Sequence, residues 1–272
     1  MTKKAYKEQQ EERFKFGENW QRFLELLNDD RIAASQDSLK EMLDVEDLSG
    51  MRFLDVGSGS GLFSLAARNL GALVVSFDYD RQSVACSQEL KRRYWPDDDE
   101  WQVEEGDVLD CDYMESLGQF DVVYSWGVLH HTGDMWSALG NVAPLVSPGG
   151  KLFIAIYNDQ RWLSKYWMRV KQLYNRGVIG RWVVIGGHAP YFLIRQTVRT
   201  IVTRSKNRRR GMDSWRDIVD WLGGYPFEVA RPEDIFHFFR KRAFSLEKMT
   251  TVDGRHGCNQ FVLLKIGNTK RS

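Results

Sequence analysis

A glycine-rich turn at residues 53–63, FLDVGSGSGLF, constrains the fold of this chain more than any other stretch. An apolar run ends at Asp55, three glycines follow at alternate positions, and a second apolar run begins at Leu62. Glycine permits the backbone conformations of a sharp turn and lets a ligand approach the backbone. The N–H groups at the start of a following helix favour a negatively charged or polar ligand group. The stretch therefore predicts a strand, a ligand-binding loop and a helix, with a plain tight turn as the alternative.

Short apolar runs alternate with helical patterns from Met51 to Asn158. Strands this apolar lack a solvated face, which is typical of a parallel sheet covered by helices on both sides. Apolar positions at helical spacing also predict two helices within residues 6–46. The predicted strands are Arg52–Val56, Leu73–Asp78, Trp101–Glu105, Phe120–Ser125 and Lys151–Tyr157, and the predicted helices are Leu62–Leu70, Gln82–Tyr94, Met114–Leu117 and Met135–Leu145.

The glycine spacing bears on which ligand the loop would hold. Gly57, Gly59 and Gly61 form GxGxG, whereas a dinucleotide fingerprint is GxGxxG, and Leu62 stands where a last small residue is required. This departure argues against NAD. Asp78 ends the second strand 23 residues after Asp55, close to the spacing at which a carboxylate reaches a ribose diol. Asp107 follows the third strand and is suited to accept a hydrogen bond from an adenine amine.

The motifs LDVGSGSG, SFDYD, EEGDVLD, FDVVYSWGVLHH and LVSPGGKLFIAIYN together resemble the successive motifs of class I S-adenosylmethionine-dependent methyltransferases. The resemblance covers roughly residues 50–158 and is nearest to small-molecule O-methyltransferases of the ubiquinone type. It implies an α/β, doubly wound, Rossmann-like sheet of seven mostly parallel strands whose last strand is antiparallel. AFSLEKMTT at 243–251 and NQFVLLKI at 259–266 supply the expected final strand pair.

The resemblance divides the chain and assigns its cofactor, S-adenosyl-L-methionine. The expected units are an N-terminal helical cap (1–49), the cofactor-binding core (50–158), a helical insertion or lid between strands five and six (159–242) and the final strand pair (243–272). The loop from Gly57 to Gly61 would hold the methionine part, Asp78 the ribose, and Asp107 with Val108 the adenine. The expected cofactor-binding residues are Asp55, Gly57, Ser58, Gly59, Gly61, Asp78, Tyr79, Asp107, Val108, Ser125 and Trp126.

A hydroxyl acceptor must lose its proton, so a base within hydrogen-bonding reach is expected. His130 and His131 follow the fourth strand on the cofactor side, and histidine has suitable basicity near neutral pH. His131 is preferred, because the related methylases resemble this chain at that histidine, whereas His130 stands where they have an acid. His256 is a second candidate, since its loop would border the same cleft. No set of residues resembles a magnesium-dependent catechol site, and no metal is expected.

Residues 160–212 form a basic, aromatic segment with 13 Lys or Arg and no Asp or Glu. Its central apolar run is too short, and too broken by glycine and proline, to span a membrane. We expect a lid that shapes the acceptor site and docks on an anionic membrane surface or receives a phosphorylated acceptor. A plain substrate lid and an RNA-binding surface are the alternatives.

The wall of the acceptor pocket is expected to include Tyr157, Trp221 and Tyr225. The charged N-terminus and the three scattered cysteines favour a cytoplasmic protein without a disulfide framework or a zinc site. These observations predict methyl transfer from S-adenosylmethionine to a small-molecule hydroxyl of a phenolic, sugar or lipid-linked acceptor. An RNA methyltransferase, an NAD-dependent oxidoreductase and a non-catalytic cofactor-binding scaffold remain the alternatives.

Overall fold

A computed structural model of the chain describes residues 24, 27–188, 222–255 and 257–267. The described residues include two short 3-10 turns, Leu129–His131 and Ala143–Leu145, and a helical segment at 178–188, besides the strands and helices given next. The strands are β1 (Arg52–Val56), β2 (Leu73–Asp78), β3 (Trp101–Glu105), β4 (Phe120–Trp126), β5 (Val146–Tyr157), β6 (Phe244–Thr250) and β7 (Cys258–Lys265), and the helices are α1 (Asp29–Leu43), α2 (Leu62–Asn69), α3 (Arg81–Tyr94), α4 (Cys111–Ser116), α5 (Met135–Val142), α6 (Trp162–Asn175) and α7 (Pro232–Arg240).

The seven strands form one mixed sheet in the order β3-β2-β1-β4-β5-β7-β6. The pairs among β1 to β5 are parallel, while β7 is antiparallel to both β5 and β6. The predicted doubly wound, mostly parallel seven-stranded sheet is thereby confirmed. Strand order reverses between β1 and β4, and in open α/β sheets a ligand cleft forms outside the carboxyl ends of the strands at such a point.

The sheet separates two hydrophobic cores because successive side chains of a strand point to opposite faces. In β1, Leu54 and Val56 pack with α5 and α7, whereas Phe53 packs on the other face with α1, α2 and α3. Leu39 and Leu43 of α1 are fully buried in this second core. One of the two helices predicted within residues 6–46 is therefore α1, and the other falls mostly outside the described residues.

Three predicted boundaries are wrong, each for a local reason. Helix α4 begins at Cys111, not at Met114, because the Asp110 side chain accepts hydrogen bonds from the next helical N–H groups. Strand β5 begins at Val146, which pairs with Phe120, five residues before the predicted start. Helix α5 ends at Val142, and a 3-10 turn containing Pro144 replaces its predicted last turn.

The part of the insertion that the structure describes has a small core of its own. Trp167, Val170 and Tyr174 of α6 pack against Val184, Leu222 and Phe227, and Tyr157 at the end of β5 lies against this group. The backbone N–H of Ala230 donates to the carbonyl of Tyr157 at 3.0 Å, which fixes this core to the sheet. Among the described residues, no helix has the length and apolarity needed to cross a bilayer.

Candidate active site

The glycine loop after β1 depends on three left-handed glycines. Gly57, Gly59 and Gly61 have φ angles of 78°, 56° and 79°, a region that side-chain-bearing residues seldom adopt. The N–H groups of Gly57 and Ser58 donate to the carbonyl of Phe77 in β2. A Cβ at Gly57 would lie 2.4 Å from a methyl carbon of Val128. The loop is therefore closed tightly between β2 and the segment after β4.

Asp78, at the carboxyl end of β2, is held in place by backbone donors. Its Oδ2 accepts a hydrogen bond from Gly59 N–H and its Oδ1 one from Asp80 N–H, both at 2.9 Å. The first bond joins the glycine loop to the end of β2. A fixed carboxylate at this place suits the two hydroxyls of a ribose. The neighbouring side chain of Tyr79 is exposed.

Asp55 lies beneath the glycine loop and is 2% exposed. Its Oδ2 accepts a hydrogen bond from the Ser64 hydroxyl at 2.6 Å. Burial raises the pKa of Asp55 to about 7, and the negative charge of Asp78 adds to this rise. A ligand with positive charge beside Asp55 and Asp78 would favour the ionised form of Asp55.

The loop after β3 lies beside the loop after β2, because Gly106 N–H donates to the carbonyl of Asp78 at 3.1 Å. In this loop Oδ1 of Asp107 accepts a hydrogen bond from Leu109 N–H. Val108 is buried, and its carbonyl accepts from the Asn141 side chain at 2.8 Å. The predicted ribose and adenine residues therefore come from adjacent loops of one cleft edge.

Ser125 is fully buried, and its hydroxyl donates to the carbonyl of Val56 at 2.9 Å. This side chain therefore joins the ends of β1 and β4 and does not face the cleft. Trp126 is half-buried against the core that contains Phe53. For both residues, a contact of the backbone carbonyl with the cofactor stays a prediction.

His131 lies in the 3-10 turn after β4, three residues after Val128, whose side chain lies against Gly57. Its Nδ1 is 2.6 Å from the carbonyl oxygen of Pro226. A carbonyl only accepts, so Nδ1 carries the proton, and in the neutral ring Nε2 is the nitrogen with the lone pair. A backbone acceptor on one nitrogen thus sets the tautomer in which the other nitrogen is basic.

His130 is fully buried and is less suited to the role of base than His131. Its Nδ1 accepts a hydrogen bond from Tyr157 N–H at 3.4 Å, which places the proton on Nε2. Burial, together with the charges of His131 and Lys171, holds the pKa of His130 well below its usual value. Its role as catalytic base stays a prediction, but the geometry favours His131.

The predicted pocket residues Tyr157 and Tyr225 lie on the same side of the sheet end. The Tyr157 ring centroid is 4.0 Å from that of His130 and 5.3 Å from that of Phe227. The Tyr225 hydroxyl accepts a hydrogen bond from Gln172 of α6 at 3.3 Å. Trp221 and His256 lie outside the described residues. The loop that contains His256 borders the end of β5, since Asn158 N–H donates to the carbonyl of Gly257 at 3.0 Å.

Sequence reasoning missed two charged residues beside the histidines. Lys171 of α6 is fully buried, and its Nζ lies 5.0 Å from the centroid of the Phe227 ring. Its position in the series Trp167, Val170, Lys171, Tyr174 was the available signal, because this spacing follows the apolar face of a helix. Lys171 was instead grouped with the other positive charges of residues 160–212, so its place on the apolar face of the helix was not recognised.

Glu228 is the second residue that sequence reasoning missed. Its carboxylate oxygens accept hydrogen bonds from Met135 N–H at 3.0 and 3.2 Å, and its own N–H donates to the carbonyl of His130. Burial raises the pKa of Glu228, while the Met135 N–H opposes the rise. The carboxylate therefore caps the start of α5 and holds residues 226–228 over the histidine pair. No local motif marked this residue.

Within the described ranges, no group of three or more His, Cys, Asp or Glu side chains is arranged to hold a metal ion. Two acidic side chains, Asp55 and Asp78, instead lie at the carboxyl ends of β1 and β2, and two histidines lie in the turn after β4. Such a division suits a cationic cofactor on one side and a proton acceptor on the other.

Comparisons with known proteins agree with this geometry. Residues 54–152 match a family model described as a methyltransferase domain. The ubiquinone biosynthesis O-methyltransferase of Brucella ovis is 28% identical over 161 residues, which cover 54% of this chain and 56% of that protein. The protein of the same name from Parvibaculum lavamentivorans is 32% identical over 120 residues, or 42% of this chain and 43% of that protein. The chain spans about half the length of these curated relatives.

The fold is shared with a solved structure of magnesium protoporphyrin IX methyltransferase (ChlM) from Synechocystis PCC 6803 with bound SAH. The TM-score is 0.52 at 14% identity, and the match covers 86% of this chain and 82% of that chain. At this identity the likeness concerns the fold alone. Together the comparisons confirm the resemblance to class I S-adenosylmethionine-dependent methyltransferases.

The contact between Gly57 and Val128 predicts that Gly57→Ala is strongly destabilising. The new methyl group would overlap Val128, and the left-handed backbone adds strain, so we expect the free energy of unfolding to fall by about 2 to 4 kcal/mol. Gly127→Ala is a matched control, because Gly127 has the same φ of 78° and open space at its Cβ. Chemical denaturation of the two variants measures both losses of unfolding free energy. The difference between them separates the overlap of the new methyl group with Val128 from the backbone strain that both variants share. Equal losses would contradict the overlap, and Val128→Ala should restore part of the loss in Gly57→Ala.

The raised pKa of Asp55 predicts that Asp55→Asn stabilises the ligand-free protein at alkaline pH. A carboxyl group whose folded pKa exceeds its unfolded value of 3.8 destabilises the fold increasingly between that value and about pH 7, and constantly above it. We expect Asp55→Asn to raise the free energy of unfolding by about 2 to 4 kcal/mol at pH 8 and to change it little near pH 4. Denaturant titrations at both pH values measure this, with the exposed Asp99→Asn as control. A loss of stability at pH 8 would contradict it.

Proposed function

We propose that this protein transfers the methyl group of S-adenosyl-L-methionine to the hydroxyl of a small-molecule acceptor. The supporting observation is the arrangement at the carboxyl ends of neighbouring strands, where two acidic residues lie at the ends of β1 and β2 and a histidine of defined tautomer lies in the turn after β4. The O-methyltransferase names of the curated relatives support an oxygen acceptor. The acceptor class is phenolic, sugar or lipid-linked.

The cleft residues fit the cofactor group by group. Asp78 would bind the ribose hydroxyls, Asp107 the adenine amine, and the loop from Gly57 to Gly61 the methionine part. The paired charges of Asp55 and Asp78 suit a ligand with positive charge, and S-adenosylmethionine carries both an ammonium and a sulfonium group. When bound, the cofactor supplies a methyl group on an already activated leaving atom, so that little covalent assistance is needed.

His131 then acts on the acceptor. Nε2 of its neutral ring accepts the hydroxyl proton as the acceptor oxygen bonds to the methyl carbon, while Pro226 keeps the Nδ1 proton in place. S-adenosylhomocysteine would be the leaving product of the cofactor, and the proton would pass from His131 to solvent. His130, kept neutral by burial, packs beside Tyr157 and supports the position of its neighbour. Alignment of acceptor and methyl group provides most of the remaining acceleration.

The base assignment predicts that His131→Asn lowers kcat by about 10²- to 10⁴-fold with unchanged affinity for S-adenosylhomocysteine. Removal of a proton acceptor slows the chemical step but leaves the acidic side of the cleft intact. The rate of methyl transfer at saturating acceptor gives kcat, and calorimetry measures the binding of S-adenosylhomocysteine in parallel. His237→Asn is the control, because His237 is exposed on α7. His256→Ala tests the second candidate. Wild-type turnover in both His131→Asn and His256→Ala would contradict a histidine base.

The proposed activity as a whole is tested by transfer of labelled methyl from S-adenosylmethionine into a bacterial extract, which is then partitioned into lipid, small polar and nucleic-acid fractions. We expect label in the lipid or small polar fraction. Label confined to nucleic acid would favour an RNA methyltransferase. Binding of NADH without binding of S-adenosylhomocysteine would overturn the cofactor assignment, and binding of S-adenosylhomocysteine without transfer would favour a scaffold.

Asp78→Asn should weaken S-adenosylhomocysteine binding at least tenfold, since it removes a charge-assisted acceptor for the ribose.

A further inference from the structure

The insertion exposes five large apolar side chains, four of them in the segment 178–188 and one at the start of α6. The exposed fractions are 82% for Ile179, 74% for Trp162, 71% for Val178, 69% for Trp182 and 60% for Val183. We call these five residues the apolar patch. Soluble domains carry single exposed apolar residues without consequence, whereas a contiguous group marks a surface for interaction.

Four of the five residues of the apolar patch follow helical periodicity on the outer side of the segment 178–188. Val178, Ile179, Trp182 and Val183 occupy one face on successive turns, and Val184 on the other face is buried. A surface helix ordinarily turns its apolar face inward and its polar face outward. Here the outward face is apolar, which is the arrangement of a helix that lies in a membrane interface.

The segment 178–188 is fixed to the rest of the fold by polar contacts. Arg181 Nε donates to the Tyr174 hydroxyl at 2.8 Å, and the Tyr166 hydroxyl lies 2.7 Å from His188 Nε2. Val184 is buried in the same small core as Tyr174. The apolar patch is therefore presented by an anchored segment, and its orientation follows from packing beneath it.

Positive side chains lie on α6, the helix against which the segment 178–188 packs. Arg161, Lys165, Arg169 and Arg176 are exposed on this helix and at its ends, and in the sequence Asp159 is followed by residues 160–212 with no Asp or Glu. A surface with one sign of charge repels a second copy of itself and attracts an anionic partner. Lys and Arg flanking an apolar helix face increase its binding to anionic lipid.

The side chains of the apolar patch distinguish a lipid surface from a nucleic acid. Nucleic acids bind to aromatic platforms on which bases stack. Val178, Ile179 and Val183 are aliphatic and offer no such platform, but each adds apolar area that leaves water on insertion between lipid headgroups. The mixture of aliphatic and tryptophan side chains is that of interfacial helices.

We propose that the apolar patch and the basic side chains on α6 and at its ends dock this protein on a lipid surface that carries anionic headgroups. The aliphatic and tryptophan side chains enter the headgroup region, and the arginines and lysines contact the phosphates. Because the segment 178–188 packs on the small core that also contacts Tyr157, docking holds the acceptor side of the cleft near the lipid. The docking itself needs neither cofactor nor methyl transfer, so it stands or fails separately from the proposed function.

The test is sedimentation of the full chain with vesicles of phosphatidylcholine plus phosphatidylglycerol, and with vesicles of phosphatidylcholine alone, at low and high salt. We expect binding to the anionic vesicles at low salt, weaker binding at high salt, and little binding to the neutral vesicles. Absence of binding to the anionic vesicles at low salt would overturn the proposal, and so would equal binding to both kinds of vesicle.

Matched variants locate the docking surface. Ile179→Ser should lower the vesicle-bound fraction severalfold, and Ile179→Ser with Trp182→Ser about tenfold or more. Ile266→Ser is the control for the first change, because Ile266 is half exposed on the far end of the sheet. Lys165→Glu should weaken binding to anionic vesicles, and Lys241→Glu, an exposed lysine after α7, should not. Circular dichroism checks that each variant is folded.

Three results would assign the surface to another role. Unchanged sedimentation of the Ile179→Ser and Trp182→Ser double variant would overturn the docking by the apolar patch. An oligonucleotide that binds the wild-type protein, when anionic vesicles do not, would assign the surface to nucleic acid. A dimer in sedimentation velocity that is lost in the double variant, again without vesicle binding, would assign it to a second copy of the chain.

Discussion

The hydrogen bond from Gly59 N–H to the Asp78 carboxylate holds the candidate site together. It joins the loop after β1 to the end of β2, and it requires the left-handed conformation of the glycines on either side. The same loop covers Asp55, whose buried carboxyl group lies within the electrostatic influence of Asp78. Burial is the main cause of the raised pKa of Asp55 and the charge of Asp78 adds to it, so a cationic ligand beside both would favour the ionised form of Asp55.

The carboxyl ends of β1 and β4 are joined by a second set of contacts. The hydroxyl of Ser125 bonds to the carbonyl of Val56, and Val128 closes against Gly57. The turn that carries His131 follows directly from this contact. Consequently, the acidic side and the histidine side of the cleft are positioned by the same glycine loop. A substitution at Gly57 is therefore expected to change the positions of both the proposed cofactor residues and the proposed base.

Much of this arrangement could be predicted from local sequence. The glycine loop, Asp78 and Asp107 follow strands whose apolar runs are unambiguous, and parallel strands bring their carboxyl ends to one edge. The bond of the Ser125 hydroxyl to the carbonyl of Val56 could not be predicted, because a hydroxyl at a strand end can face a ligand or bond to the neighbouring strand, and only the register decides. The start of α4 was missed because a side-chain cap outweighs the weak periodicity of a six-residue helix. The place of Lys171 on the apolar face of α6 could have been read from its helical spacing, whereas the role of Glu228 depends on contacts between segments far apart in the chain, which no local pattern encodes.

Residues 222–231 connect the insertion to the chemistry of the cleft. Glu228 N–H bonds to the carbonyl of His130, and Ala230 N–H bonds to that of Tyr157. The carbonyl of Pro226 sets the tautomer of His131, while Phe227 packs in the small core beneath the segment 178–188. The histidine environment is therefore built by the insertion and not by the sheet alone. In the proposed function, the segment that would shape the acceptor side is separate in sequence from the segments that would bind the cofactor, so the same core fold could receive different acceptors. An acceptor held at a lipid surface is consistent with such a division, since the same small core supports both Tyr157 and the apolar patch.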